Sequence, residues 1–368
     1  MSEPLRVAQV MGKMNGGGVE SVVMNYYRHI DRDRVQFDFI VDSDSVLVPK
    51  REIEALGGRV FEVPPYQRIA ANQGALIGLF EAERWRIVHS HLNTLSVFPL
   101  RAAKRAGVPI RIAHSHSVAG RDGLLRNALK YALRPFSKVY PTDLMACSRY
   151  VGCWLFGGAA DFTVVPNGVD LSRFSLGPSV GRAVRESLGI GRTALIVGHV
   201  GRLVAVKNHR FLLEVFSALR ALEPDSLLLV VGDGPLRDDI EAKAEELGIG
   251  DRVLMLGHRV DVPELLQAMD AFCLPSLYEG FPVVGVECQA AGLPILASDA
   301  VPADAAVTPL MGFESLQSPP GAWAERLIEM SRMTRRGYVE ELAPFDIDSC
   351  AEALLGIYEA ALDRAGVR

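Results

Sequence analysis

Glu279 and Glu287 stand eight residues apart in Pro275-Ser276-Leu277-Tyr278-Glu279-Gly280-Phe281-Pro282-Val283-Val284-Gly285-Val286-Glu287. Pro282 suits the first turn of a helix, so Glu279 precedes that helix and Glu287 lies within it. Eight helical residues rise about 12 Å, more than the roughly 5–9.5 Å between the paired carboxyls of glycosidases. Two separate duties along an extended ligand fit this spacing better than one acid–base pair. Carboxylates accept from hydroxyls, so a hexose and a ribose are natural targets. The plainer reading of Glu287 is a solvated helix face.

Gly201-Arg202 and Lys207-Asn208 fall between an apolar run ending in His199 and a helix-like stretch beginning near Asn208. Two cations on such a loop can hold a diphosphate and offset charge as it leaves; the alternative is solvated surface charge. Gly16-Gly17-Gly18-Val19-Glu20 follows the first strand-like run. Its glycines either let backbone amides approach a phosphate at a helix terminus or form a tight strand–helix turn. The dinucleotide spacing G-x-G-x-x-G is absent, which weakens Asp42 as a ribose-binding acid and argues against a dehydrogenase.

His89, His91, His114 and His116 end two further apolar runs. Each pair is expected to divide between opposite faces, one ring buried and hydrogen-bonded and the other toward a cleft. The two strand ends need not converge, no acidic residue lies beside either pair, and no metal site is expected. Asp42-Ser43-Asp44 is read as an acidic loop rather than a metal–diphosphate trio.

These groups must be positioned by repeated strand-then-helix units. Strand candidates are 6–10, 35–41, 59–63, 87–90, 110–114, 144–148 and 162–166, then 193–197, 226–231, 252–256, 271–275 and 294–297. Helix candidates include 20–29, 96–106, 208–222, 236–247, 262–268 and 282–291. The pattern implies an α/β chain of two doubly wound, Rossmann-like domains facing across a cleft, with the polar clusters at strand C-terminal ends where open parallel sheets bind ligands. The domain boundary is placed between Asp170 and Gly191, a stretch of weak periodicity. The chain's 368 residues, 49% of them hydrophobic, allow two such cores, and a net charge of -5 argues against a nucleic-acid binder. Five cysteines in an odd set without metal spacing read as free thiols of a reducing compartment. No apolar core of a signal peptide and no membrane span is visible, so a cytosolic protein is expected.

Together these features resemble the large retaining family of GT-B glycosyltransferases with the paired-glutamate motif, family 4 of the usual classification, and its branch in capsular or exopolysaccharide assembly. The resemblance runs from about Leu5 to Tyr358. It rests on the segment from Asp270 through Glu279, Gly280, Phe281 and Glu287 to Pro294, on His199-Val200-Gly201-Arg202, Lys207-Asn208-His209, Gly232-Asp233-Gly234, Pro166-Asn167-Gly168-Val169 and Gly17-Gly18-Val19-Glu20.

The resemblance implies an N-terminal, acceptor-side domain of residues 1–170 rejoined by 345–368, and a donor-binding domain of 171–344. It implies transfer of a hexose-type sugar from a nucleoside-diphosphate sugar, UDP above all, to a saccharide or lipid-diphosphate-linked acceptor. Arg202 and Lys207 would be the diphosphate cations, Gly17 and Gly18 the loop near the diphosphate, and Glu279 and Glu287 the sugar and ribose contacts. His199, Gly201, Gly280 and Phe281 would sit with the donor. His116 would be the cleft histidine, with His114 the fallback and His91 a further cleft residue. Cys288 departs from the alanine common there. No metal and no cofactor is implied: front-face substitution lets the leaving diphosphate take the acceptor proton. A non-hydrolysing nucleotide-sugar epimerase and a non-catalytic nucleotide-sugar binder are the rivals.

From Arg101 to Arg149 ten basic residues face only Asp122 and Asp143. If 121–136 is helical, Arg126, Lys130 and Arg134 form a basic stripe, with Lys138 beyond Pro135. Leu125, Leu129 and Leu133 repeat one position earlier, either as an apolar contact or facing the core. The sharper reading is a surface for anionic lipid on the inner face of the membrane; the plainer one is solvated cations beside core leucines.

Overall fold

The computed structural model describes residues 3–118, 124–175, 177–335 and 337–367, with 124–126 by backbone alone. Residue contacts divide the chain into two compact units, Met1–Gly168 with Pro344–Arg368, and Val169–Ala343.

The first unit carries β1 (Leu5–Gly12), β2 (Val35–Asp42), β3 (Arg59–Val63), β4 (Ile87–Ser90), β5 (Ile110–Ser115), β6 (Asp143–Ala146) and β7 (Thr163–Val164). They form one sheet in the order β3-β2-β1-β4-β5-β6-β7, and every pairing is parallel. Helices cover both faces of such a sheet, and accordingly all of β2 is buried. Its central carboxylate, Asp38, accepts from Arg6, from Arg59 at 2.6 Å and from Trp85 Nε1 at 2.8 Å. Burial alone would raise its pKa; these donors hold it below the usual value.

The second unit repeats the plan with β8 (Ile196–Val200), β9 (Leu227–Val231), β10 (Val253–Gly257), β11 (Ala271–Leu274), β12 (Ile295–Ser298) and β13 (Met311–Glu314) in the order β10-β9-β8-β11-β12-β13. Leu212, Phe216, Leu228, Val230 and Trp323 belong to its core. Two parallel, doubly wound sheets are therefore present, each reversing its strand order once: between β1 and β4, and between β8 and β11. Those are the points where α/β sheets bind ligands, beyond the strand C-termini.

The helix Ile347–Ala365 packs in the first unit. Asp346 caps it by accepting from Ser349 N at 3.1 Å. Its start presses on Gly168, where a Cβ would come within 2.6 Å of Ile347. The adjoining Pro166 and Gly168 carbonyls accept from Tyr26 at 2.5 Å and Asn25 at 2.8 Å on the helix Gly18–His29.

Two sequence expectations need correction here. The stretch 170–191, read as weakly periodic, contains a helix, Pro178–Ser187, polar and arginine-rich, with Pro178 in its first turn. The strand placed at 193–197 lies three residues later and includes His199. No helix among the described residues is long and apolar enough to cross a membrane.

Candidate active site

In the second unit the β8/β11 switch point gathers most of the residues singled out by sequence. His199 is fully buried, and its Nδ1 donates to the Cys273 carbonyl at 2.9 Å, tying β8 to β11. Burial, then neighbouring His209, pushes its pKa down to about 3, so the ring is neutral. The chain then turns through Gly201 and Arg202 against the next loop. Gly201 N donates to Val231 O at 2.9 Å and Leu203 N to Asp233 O at 3.0 Å. Gly232 and Gly234 permit this approach: a Cβ on Gly232 would lie 2.0 Å from the Gly201 carbonyl oxygen, and one on Gly234 would lie 2.5 Å from that of Leu203.

Lys207 lies just before the helix His209–Leu222, and Asn208 takes a left-handed φ of 57° to start that helix. Lys207 Nζ donates to Glu279 Oε1 at 2.7 Å, and Ser276 Oγ donates to the same oxygen at 2.7 Å. The loop after β11 is thereby clamped to the loop after β8. Arg202 is exposed on that loop. Gly280 and Phe281 are buried behind Glu279. Glu287, on the helix Val283–Ala290, is half-buried; burial raises its carboxyl to about 7 against the opposing charge of Arg173. Chemically, this is a cation pair on a glycine-shaped loop with one carboxylate, Glu279, bonded to it, and a second, Glu287, on the helix that follows Glu279.

In the first unit the glycine loop holds an anion of its own. The Glu20 carboxylate accepts from Asn15 N at 3.0 Å, Gly16 N at 2.5 Å and Gly17 N at 2.7 Å. The Gly16 and Gly17 amides are thus satisfied by the chain itself, and a phosphate on those two must displace Glu20. Sequence reasoning missed this role, although Gly17-x-x-Glu20 has the spacing of a capping box.

The four histidines contradict two expectations. They converge, and none divides from its neighbour. Residues two apart on a strand share a face, and β4 pairs with β5 so that His89 lies opposite Ile112. All four rings are buried. His89 Nε2 meets His114 Nδ1 at 3.1 Å, and His91 Nδ1 meets His116 Nε2 at 2.9 Å. Burial holds His89, His91 and His114 well below the usual imidazole range and His116 at about 4. Ligand nitrogens of His89, His91 and His114 lie within 4.8 Å of one another. Several are spent on bonds between the rings, so a shared metal ion would have to break that network. The Asp42-Ser43-Asp44 trio does not converge on a common point: Asp42 is buried and raised to about 6 by burial and by Asp44, while Asp44 pairs with Lys13 at 2.7 Å.

Two family patterns match the chain: "Glycosyltransferase Family 4" over residues 16–173 and "Glycosyl transferases group 1" over residues 182–332. A Bacillus subtilis protein named putative glycosyltransferase EpsF is 35% identical over 99% of this chain and 98% of its own length. The chain belongs to the family 4 glycosyltransferases. An Escherichia coli UDP-Gal:alpha-D-GlcNAc-diphosphoundecaprenol alpha-1,3-galactosyltransferase is 28% identical over 80% of this chain and 79% of its own. Among solved structures, Anabaena HepE in complex with UDP-glucose superposes with a TM-score of 0.80 at 18% identity, covering 97% of this chain and all of that one. WaaG, described as a glycosyltransferase involved in lipopolysaccharide biosynthesis, gives 0.74 at 18% identity over 95% and 99% of the two chains. The fold is GT-B.

This glycosyltransferase also carries the basic segment picked out by sequence. Its helix runs Leu124–Leu133 and continues as a 3-10 turn, Arg134–Phe136. Arg121 and Asp122 lie outside the described residues, as do the side chains of Leu125 and Arg126. Leu129 is 44% exposed, so it does not face the core, whereas Leu133 is half-buried. Tyr131, Phe136, Val139 and Tyr150 are also exposed. Arg134 stacks over Trp154 at 5.6 Å and Lys138 is exposed. The surface is both cationic and apolar.

Proposed function

We propose that this glycosyltransferase moves a hexose from a UDP-sugar, with retention of anomeric configuration, onto a saccharide carried by a lipid diphosphate, in assembly of an extracellular polysaccharide. The observation that carries this reading is the clamp at the β8/β11 switch point, Lys207–Glu279–Ser276 beside Arg202. Lys207 and Arg202 hold the donor diphosphate and stabilise its charge as the glycosidic bond to phosphate breaks. Glu279, already beside Lys207, turns its second oxygen to the transferred sugar, and Glu287 accepts from ribose hydroxyls. The leaving diphosphate takes the acceptor proton, so neither a protein nucleophile nor a metal enters the step. His116 binds a sugar hydroxyl within the first unit, which receives the acceptor, while the second unit binds the donor.

The named relatives support this reading. One acts on a diphosphoundecaprenol-linked sugar and uses UDP-Gal, and the HepE structure holds UDP-glucose. The exposed Leu129, Phe136 and Val139 beside Lys138 fit a peripheral contact with an anionic membrane. A mass-resolved screen of UDP-sugars against saccharide and lipid-diphosphate acceptors, followed by linkage analysis, tests the proposal. It expects one glycosylated product whose anomeric configuration matches the donor. An inverted linkage, or interconversion of the nucleotide-sugar without transfer, would refute it.

A further inference from the structure

The buried histidines are not four separate rings. They belong to one continuous hydrogen-bonded chain, and its direction can be read from a single amide. Gln9 lies on β1 beside His89 of β4. Its Oε1 only accepts, so at the 2.8 Å contact His91 Nε2 carries the proton. A neutral His91 then accepts at Nδ1, and the donor is His116 Nε2 at 2.9 Å. On the other side Gln9 Nε2 donates to the Tyr358 hydroxyl at 3.2 Å. Tyr358 passes its own proton to His89 Nδ1 at 2.7 Å, and His89 Nε2 donates to His114 Nδ1 at 3.1 Å. His114 is left with its proton on Nε2.

Each ring is thus an Nε2–H tautomer. Turning the Gln9 carboxamide over would reverse every bond and place all four protons on Nδ1; a mixed set, with Tyr358 accepting from both Gln9 and His89, would leave its buried hydroxyl proton without an acceptor in this chain of bonds. Burial keeps the rings neutral, which the logic requires. The chain has two loose ends, the His116 Nδ1 lone pair and the His114 Nε2–H. Both atoms are buried and make no hydrogen bond among the described residues. Their rings stack with centroids 4.0 Å apart. The Asn167 carboxamide favours the charged form of His116, yet its own oxygen also makes no hydrogen bond among the described residues. One group that both donates and accepts can complete both ends, and a hydroxyl is such a group.

We propose that Gln9 and Tyr358 are positioning residues that lock His89, His91, His114 and His116 into one shared Nε2–H tautomer, so that the His114 and His116 ends together hold a single hydroxyl. The functional half rests on the reading of His116 as a sugar-binding histidine: that hydroxyl is then a sugar's. Tyr358 comes from the last helix, so the return of the chain to the first unit completes the network.

Long-range 1H–15N correlation on histidine-labelled protein, assigned with single-histidine variants, reads each tautomer directly. The wild type is expected to show Nε2–H at all four positions. A protonated ring, a mixed set, or four Nδ1–H rings would overturn the assigned direction. In Gln9→Glu both neighbours must donate to the carboxylate. His91 and His116 then keep Nε2–H while His89 and His114 switch to Nδ1–H; four unchanged rings would refute coupling through Tyr358. Should that buried charge prevent folding, Tyr358→Phe keeps the shape and removes the hydroxyl's bonds to His89 and to Gln9, leaving the Gln9–His91–His116 bonds in place. It should shift His89 and His114 toward mixed tautomers and leave His91 and His116 as they were; an unmoved His89 would overturn the proposal. Gln9→Leu should lower kcat/KM by about fivefold, the bias one hydrogen bond supplies. UDP-glucose or UDP-galactose, but not UDP, should move the His114 and His116 signals. If tautomers follow the scheme while sugars leave those signals unmoved, the hydroxyl is water's and the functional half fails with the reading of His116. If His116→Ala abolishes transfer while tautomers are mixed, that reading stands and the relay fails.

Discussion

Lys207 Nζ and Glu279 Oε1 lie 2.7 Å apart although 72 residues separate them, and Ser276 Oγ donates to the same carboxylate oxygen. The pair is largely shielded, with side chains 18% and 15% exposed. It ties the loop after β11 to the loop after β8, and it leaves Glu279 Oε2 free of both bonds.

Glu279→Ala should therefore act on the sugar part of the donor and spare the nucleotide. Charge-assisted hydrogen bonds are worth enough to weaken UDP-sugar binding by about tenfold to a hundredfold. Calorimetry with UDP and a UDP-sugar measures both, and UDP affinity should change little. Equal losses for both ligands would contradict the assignment.

Glu287 should give nucleotide binding a pH dependence. Its carboxyl is raised to about 7 by burial, and ribose hydroxyls donate to the ionised form. Proton release must then accompany binding, so UDP affinity rises from pH 6 to 8 and levels above. Glu287→Gln should flatten that profile and weaken UDP binding about tenfold. A UDP affinity flat with pH in the wild type would remove Glu287 from the ribose.

The histidine cluster predicts early acid destabilisation. Unfolded imidazoles titrate near 6.5, while those of His89, His91, His114 and His116 stay neutral in the fold to much lower pH. Below pH 6.5 the unfolded state binds more protons, so stability falls as pH drops toward 4. Each imidazole adds up to about 1.4 kcal/mol per pH unit. Urea midpoints from pH 7.5 to 5 should decline from near 6.5; a constant midpoint would mean the rings are charged when folded.

The cationic, apolar surface around Leu129 and Phe136 predicts binding to anionic vesicles over neutral ones in co-sedimentation. Reversing Lys130, Arg134 and Lys138 should abolish the preference, and Phe136→Ser with Val139→Ser should weaken binding at physiological salt, where the apolar share dominates. No preference in the intact protein would leave its acceptor soluble or delivered by a partner.

Much of the fold was legible because parallel strands buried on both faces read as short apolar runs. The strands 59–63 and 87–90 fall at their expected bounds. Strand β13, only four residues with a glycine, and the polar helix Pro178–Ser187 lack that signal. The loop positions of Lys207 and Glu279 were readable from their neighbours, but their contact was not, since it depends on how β8 pairs with β11. The same holds for the histidines: register between β4 and β5 brings them together, and no single strand records it. Tyr358, 349 residues from Gln9, had no local signature at all.

The central claim is that a side-chain cation does the work at the donor diphosphate. The direct measurement is kcat/KM for transfer in exhaustively chelated buffer, wild type against Lys207→Ala. The wild type should keep its activity and the variant should lose about 10²- to 10³-fold, the scale of one lost charge-stabilising donor. Abolition of wild-type transfer by chelation with recovery on adding magnesium or manganese, or a variant as fast as the wild type, would contradict it.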